Sequence, residues 1–136
     1  MKARDRIVLD HNALISRLLV PASIPARAVR KAVDTHQLLV LEATLVEFAD
    51  VLSRPKFDRY VTVAERQEFL RLLGRIAELV PIIYTVRACR DPKDDKILEL
   101  AVNGAAALIA TGDQDLLALN PFHGTTIITP AAYLKR

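Results

Sequence analysis

Ala106-Ala107-Leu108-Ile109-Ala110, running into Thr111-Gly112-Asp113-Gln114-Asp115, is the stretch that decides the fold of this chain. A short apolar run without polar alternation reads as a strand buried on both faces, the usual state of strands in a parallel sheet. Arg6-Ile7-Val8-Leu9-Asp10, near the other end of the sequence, has the same form. In each case the apolar run closes on acids. Acids at the carboxyl ends of parallel strands stand where open α/β sheets place their ligands. The arrangement suggests a site for a hard cation.

Between these two runs the chain alternates apolar and amphipathic segments. Helices are expected from about Asn12 to Leu19, from Ala26 to Val33 with Pro25 in its first turn, and from Ala43 to Leu52. Strands are expected at Gln37 to Leu41 and Ile82 to Val86. Thr62-Val63-Ala64-Glu65 has capping-box spacing and opens a long helix, with Phe69, Leu72, Leu73 and Ile76 on one face. Asp91 and Pro92 form a helix start, and Asn103-Gly104 a helix end near Val102. A short helix through Leu119, a strand at Thr126 to Ile128 and a terminal turn from Pro130 complete the pattern. Alternation of this kind predicts an α/β fold with helices on both faces of a parallel sheet, in one domain over residues 1–136.

Composition narrows the function classes. The chain has 136 residues, 51% of them hydrophobic, which is long enough to bury a core without disulfides. Cys89 is the single cysteine, so an intrachain disulfide or a cysteine-rich zinc site is excluded. No apolar run approaches the roughly 20 residues of a membrane span, and Met1 to Asp5 leave no room for a signal segment; the expected compartment is the cytoplasm. Nineteen basic against sixteen acidic residues give a net charge of +3. With several acids assigned to one cleft, the remaining surface is more basic than that total implies. A polyanionic substrate is permitted.

Each acid also has an ordinary alternative. Asp10 could cap the following helix, and Asn12 could be that cap or a partner that orients Asp10. Asp113 and Asp115 could be turn and cap residues of a Gly-Asp loop. Asp94 shares the inward stripe of its helix with Ile97 and Ala101, whereas Asp95 points with Glu99 toward the flank. Asp94 could instead complete a cap with Asp91. By periodicity Glu47 lies off the apolar face of Leu45, Phe48, Ala49 and Leu52, which makes it a solvated residue. Together the acids are more specific. Two carboxylates about 4 Å apart repel by roughly 4 kcal/mol at an effective dielectric of 20, so a cluster calls for a cation or protons. Oxygen ligands alone point to Mg²⁺ or Mn²⁺ rather than zinc, and the chemistry they favour is phosphoryl transfer or hydrolysis.

Val8-Leu9-Asp10-His11-Asn12, the helix carrying Glu47 before Leu52-Ser53-Arg54-Pro55-Lys56-Phe57, Cys89 to Lys96, and Thr111 to Leu117 together resemble a PIN-domain protein. The likeness covers essentially the whole chain in order and is nearest to the bacterial branch of toxins in type II toxin–antitoxin systems, similar to VapC toxins. The resemblance implies a three-layer α/β/α fold with a five-stranded sheet ordered 3-2-1-4-5, and a Mg²⁺- or Mn²⁺-dependent endoribonuclease. It implies catalytic and metal-binding roles for Asp10, Glu47, Asp94 and Asp113, with Asp115 and Asp95 supplementary and Asn12 and Thr111 supporting. For Glu47 it opposes the periodicity. His11 departs from the family pattern, which has a small hydroxyl residue between the first Asp and the Asn; the preferred expectation is a packed or capping imidazole turned away from the metal.

Arg17, Arg54, Lys56, Arg90, Lys93 and Lys96 are the basic residues near these motifs, candidates for phosphate contacts that give affinity without sequence choice. The resemblance also implies an antitoxin partner, and the apolar helix expected over Ala64 to Val80 motivates a homodimer. Two other readings compete. A haloacid-dehalogenase-like phosphatase requires Asp-x-Asp where this chain has Asp10-His11-Asn12. A PIN scaffold with a vestigial cleft would serve as a protein-binding module, and the intact acid set argues against it.

Overall fold

The computed structural model describes residues 4–136, so the lead-in expectation placed on Met1 to Ala3 lies outside the described residues. The elements are β1 (Arg6–Leu9), α1 (His11–Leu19), α2 (Ile24–Thr35), β2 (Gln37–Val40), α3 (Glu42–Leu52), α4 (Val63–Ile76), β3 (Glu78–Leu79), α5 (Pro92–Asn103), β4 (Leu108–Ala110), α6 (Gln114–Leu117), β5 (Thr126–Ile128) and α7 (Pro130–Leu134). A 3-10 turn at Pro55–Phe57 links α3 toward α4. The strands form one parallel sheet in the order β3-β2-β1-β4-β5, as the resemblance implies.

The period of two within β1 divides the core. Ile7 and Leu9 join a cluster with Leu14, Val29, Phe48, Leu73 and Tyr133, from α1, α2, α3, α4 and α7. Val8 faces the opposite cluster of Leu98, Leu100, Ala101 and Leu116, from α5 and α6. These are the outer layers of a three-layer α/β/α arrangement. The register Ile7↔Leu108, Val8↔Ile109 and Leu9↔Ala110 sets the site, because the next residues along both strands are Asp10 and Thr111.

Four expectations need correction. The third strand is Glu78–Leu79, not Ile82 to Val86. Val80 donates its N–H to Val40 O at 3.0 Å, but Pro81 follows and has no N–H to extend the ladder. The segment beyond runs along α5 instead, held by side chains. Asn103 Oδ1 accepts from the N–H groups of Ile83 and Tyr84, both at 2.9 Å, and Glu99 Oε1 accepts from Val86 N at 3.0 Å. The long helix therefore stops at Ile76 rather than Val80. Of its expected apolar face Phe69 and Leu73 are buried and Leu72 is exposed. The helix before Gln37 opens earlier, with Ser23 as N-cap accepting from Ala26 N. The stretch from Pro130 is a helix capped by Thr129, not a turn.

Gly104 ends α5 at φ −92°, so its role is not a left-handed cap. A Cβ there would meet Leu39 Cδ1 at 2.5 Å and Leu100 O at 3.0 Å, and both neighbours belong to buried residues. Glycine is required here because α5 approaches the sheet so closely.

Candidate active site

Asp10 leaves β1 as the N-cap of α1. Its Oδ1 accepts from Ala13 N at 2.9 Å, so the capping reading is correct as far as it goes. Its Oδ2 accepts from the Thr111 hydroxyl at 2.9 Å. Thr111 Oγ1 in turn accepts from Asp113 N at 3.1 Å, which commits the hydroxyl's only proton to Asp10. Thr111 is fully buried, and the ends of β1 and β4 are thereby tied through one hydroxyl. The residue that orients Asp10 is Thr111. Asn12 is exposed and lines the same cleft without bonding to Asp10.

Asp113 caps α6 through Oδ1, which accepts from Asp115 N at 2.8 Å and Leu116 N at 3.4 Å. Asp94, in the first turn of α5, is buried on the inward stripe. Among the described residues, Asp94, Asp113 and Asp115 form a group whose carboxylate oxygens lie within 4.8 Å of one another. Burial is the main cause that raises the Asp94 pKa above the ordinary carboxylate value, followed by the charges of Asp113, Asp91 and Asp115. The donor set, oxygen only and mutually repelling, fits a hard divalent cation.

Asp95 is elsewhere. Its Oδ1 accepts from Ala88 N and Cys89 N, both at 2.8 Å, and these bonds hold its pKa below the usual range. It anchors the loop ahead of α5. Cys89 on that loop has its thiol pKa pushed up to about 11 by burial and by Asp95 and Asp94, in keeping with an unreactive thiol.

A cleft of about 780 Å³ opens over the strand ends, lined by Asp10, His11, Glu47, Asp94, Thr111 and Asp113 among others. Glu47 comes to it from α3 and Lys96 from α5, and the two meet across it with Nζ to Oε1 at 3.2 Å, each about half exposed. Periodicity was right that Glu47 is solvated, yet the solvent is that of the cleft. Neither Asp10 nor Glu47 belongs to the group within 4.8 Å. The packed imidazole expected at His11 is present, with its ring on Phe48 at 5.9 Å between centroids, and His11 also lines the cleft. Burial lowers its pKa, opposed by Glu47 and Asp10 and assisted by Lys93 and Lys96.

Of the basic candidates, Lys93 and Lys96 line the cleft. Arg17 lines a different groove, with Val29, Phe69 and Leu73. Arg54 sits 3.9 Å from Asp50, and Lys56 lies over the Phe57 ring at 5.1 Å. Neither of these, nor Arg90, is part of the cleft wall. Sequence reasoning missed the role of Arg66, a buried cation on α4. Its guanidinium donates to Val61 O, Leu52 O and Asp58 Oδ1. Its place between Ala64 and Phe69 on the helix was the available signal.

Two comparisons bear on this geometry. A protein-family model described as PIN domain matches residues 6–115. An uncharacterized protein of Methanocaldococcus jannaschii, MJ1680, is 28% identical over 122 residues, an alignment that covers 87% of this chain and 77% of the relative.

Proposed function

This chain belongs to the PIN-domain family, a nuclease superfamily whose members generally use divalent metals, and on that premise we propose that it is a metal-dependent endoribonuclease hydrolysing RNA phosphodiesters. The observation that carries the reading is the group of Asp94, Asp113 and Asp115 within 4.8 Å, set at the carboxyl end of the sheet in a cleft that Lys93 and Lys96 flank. Asp94, Asp113 and Asp115 would hold Mg²⁺ or Mn²⁺, with Asp10 and Glu47 facing the same space. Bound there, the ion neutralises charge on the phosphodiester and lowers the pKa of a water. Thr111 holds Asp10 in place through the one hydrogen bond its hydroxyl can donate. Asp95 serves the loop and is left out of the ligand set. Lys93 and Lys96 would hold the RNA backbone as point charges, and Lys96 has donors beyond the one it gives Glu47.

The same proposal extends to a role as the toxin of a toxin–antitoxin pair, to an antitoxin that blocks the cleft, to a cytoplasmic location and to a single domain. No helix of the described residues is long and apolar enough to cross a membrane. The proposal also includes a homodimer, which static light scattering that returned a monomer at micromolar concentration would remove.

The test is cleavage of a mixed single-stranded RNA with Mn²⁺ or Mg²⁺, against an EDTA control and the Asp10→Asn and Asp113→Asn variants. Both variants keep volume and a capping oxygen, so they should fold, and both should lose at least about a hundredfold in kcat/KM, which corresponds to roughly 2.7 kcal/mol of transition-state stabilisation. Wild-type turnover in either variant would overturn the assignment. Absence of both cutting and Mn²⁺ binding in the wild type would favour the vestigial scaffold.

A further inference from the structure

We propose that His11 is the platform on which a nucleobase of the RNA stacks, next to the phosphodiester held over the acidic group; the inference rests on the nuclease reading. Among the described residues that line the cleft, none is Phe, Tyr or Trp, so the His11 imidazole is the one flat aromatic surface it offers. Single-stranded nucleic acid is held largely by charge along the backbone and by stacking of splayed bases on such rings, His included. The first requirement is met by Lys93 and Lys96 on the same cleft.

The ring is also braced for the task. Phe48, which is buried, backs it at 5.9 Å with the planes inclined by 49°, and Phe48 is itself held edge-on by Phe69 at 6.0 Å. A ring fixed this way loses little freedom when a base lies against it. No described side chain or backbone group hydrogen-bonds to the imidazole, and no buried side-chain nitrogen or oxygen is left without a partner. The ring nitrogens therefore reach the water of the cleft rather than being consumed in the fold. Asp10, one residue earlier, lines the same cleft as Asp94 and Asp113, so a base on the ring would lie next to the proposed ion site.

The test is RNA binding measured by fluorescence anisotropy in Ca²⁺, with a short single-stranded RNA and with copies in which one abasic residue is walked along the strand. His11→Ala should bind the intact RNA about tenfold more weakly than wild type, within the range of one base–aromatic stack. His11→Phe keeps a ring and should stay within about twofold. On the strand whose abasic residue falls at the platform, wild type and His11→Ala should bind alike, a convergence that a merely structural role does not produce. Mn²⁺ affinity by calorimetry should be the same in all three proteins. Equal losses in His11→Phe and His11→Ala, no convergence on any abasic strand, or a parallel loss of Mn²⁺ affinity would each overturn the platform. If wild type cleaves RNA and His11→Ala binds like wild type, the platform alone falls; if wild type neither binds nor cleaves RNA, the nuclease reading falls and takes it along.

Discussion

Asp94→Asn should make the metal-free protein more stable and the same protein less able to bind Mn²⁺. Asp94 is the buried member of the acidic group, with carboxylate oxygens of Asp113 and Asp115 within 4.8 Å. At that separation each like-charge pair costs between about 1 kcal/mol in water and about 3.5 kcal/mol at an effective dielectric of 20. Asp113 and Asp115 are exposed, so the lower figure governs. Removing the Asp94 charge relieves two such pairs and should add about 2 kcal/mol in urea denaturation at pH 7 in EDTA. The sign with pH follows from the raised Asp94 pKa. The folded state holds this proton more tightly than the unfolded state, so the penalty is fully present above the raised value. It is relieved as the pH falls through that value toward the unfolded one. In the wild type, stability without metal should therefore improve on mild acidification, and this part of the profile should be flat in Asp94→Asn. Outer residues of metal sites already contribute about 10- to 100-fold to affinity, so a direct ligand should cost at least that much, and RNA cleavage should fall with it. A variant less stable than wild type in EDTA would show that Asp94 is a structural acid and not part of a strained site.

That coupling of strain and function marks the limit of what the sequence could convey. β1 and β4 were legible because both their faces are buried and the apolar run is unbroken. The acids after them followed at once, since a strand end in a parallel sheet is a fixed place. Asp94 was separable from Asp95 because helix phase reports which side faces the core, and the structure buries one and ties the other to Ala88 and Cys89. Glu47 was not, because periodicity distinguishes core from solvent and a cleft is solvent. β3 was missed for a different reason. Ile82 to Val86 has the better strand composition, yet pairing depends on a free N–H in register, and Pro81 interrupts it. For Thr111 the resemblance implied a supporting role, but only the register that sets it beside Asp10 shows what it supports. Likewise nothing local to Asn103 says that its amide spans Tyr84 and Glu99, donating to Tyr84 O and Glu99 O at 2.8 Å.

Arg66→Met should be the most destabilising change of a charged residue outside the site, about 3 kcal/mol, whereas Asp58→Asn should cost well under 1 kcal/mol. The two form one ion pair at 2.8 Å, but its halves differ: the Arg66 side chain is 7% exposed and the Asp58 side chain 65%. Most of what Arg66 does is therefore not the pair. Its Nε and Nη2 donate to Val61 O at 3.2 and 2.8 Å, and its Nη1 donates to Leu52 O at 3.0 Å, all in buried surroundings. These carbonyls mark the two ends of the connection from α3 to α4, with the Pro55–Phe57 turn between them. Methionine can fill the aliphatic volume but leaves both carbonyls without a donor, and charge-assisted bonds of this kind contribute about 1.5–3 kcal/mol each before water compensates. Asp58, by contrast, is rehydrated when its partner is lost. The acidic group takes no residue from this connection, so Mn²⁺ affinity in Arg66→Met should match wild type wherever the fold persists. Amide exchange should quicken over residues 53–61 before it does in β1 or β4, because this connection loses the buried guanidinium that ties its two ends. Equal destabilisation by Arg66→Met and Asp58→Asn would instead place the energy in the ion pair and leave the carbonyl contacts incidental.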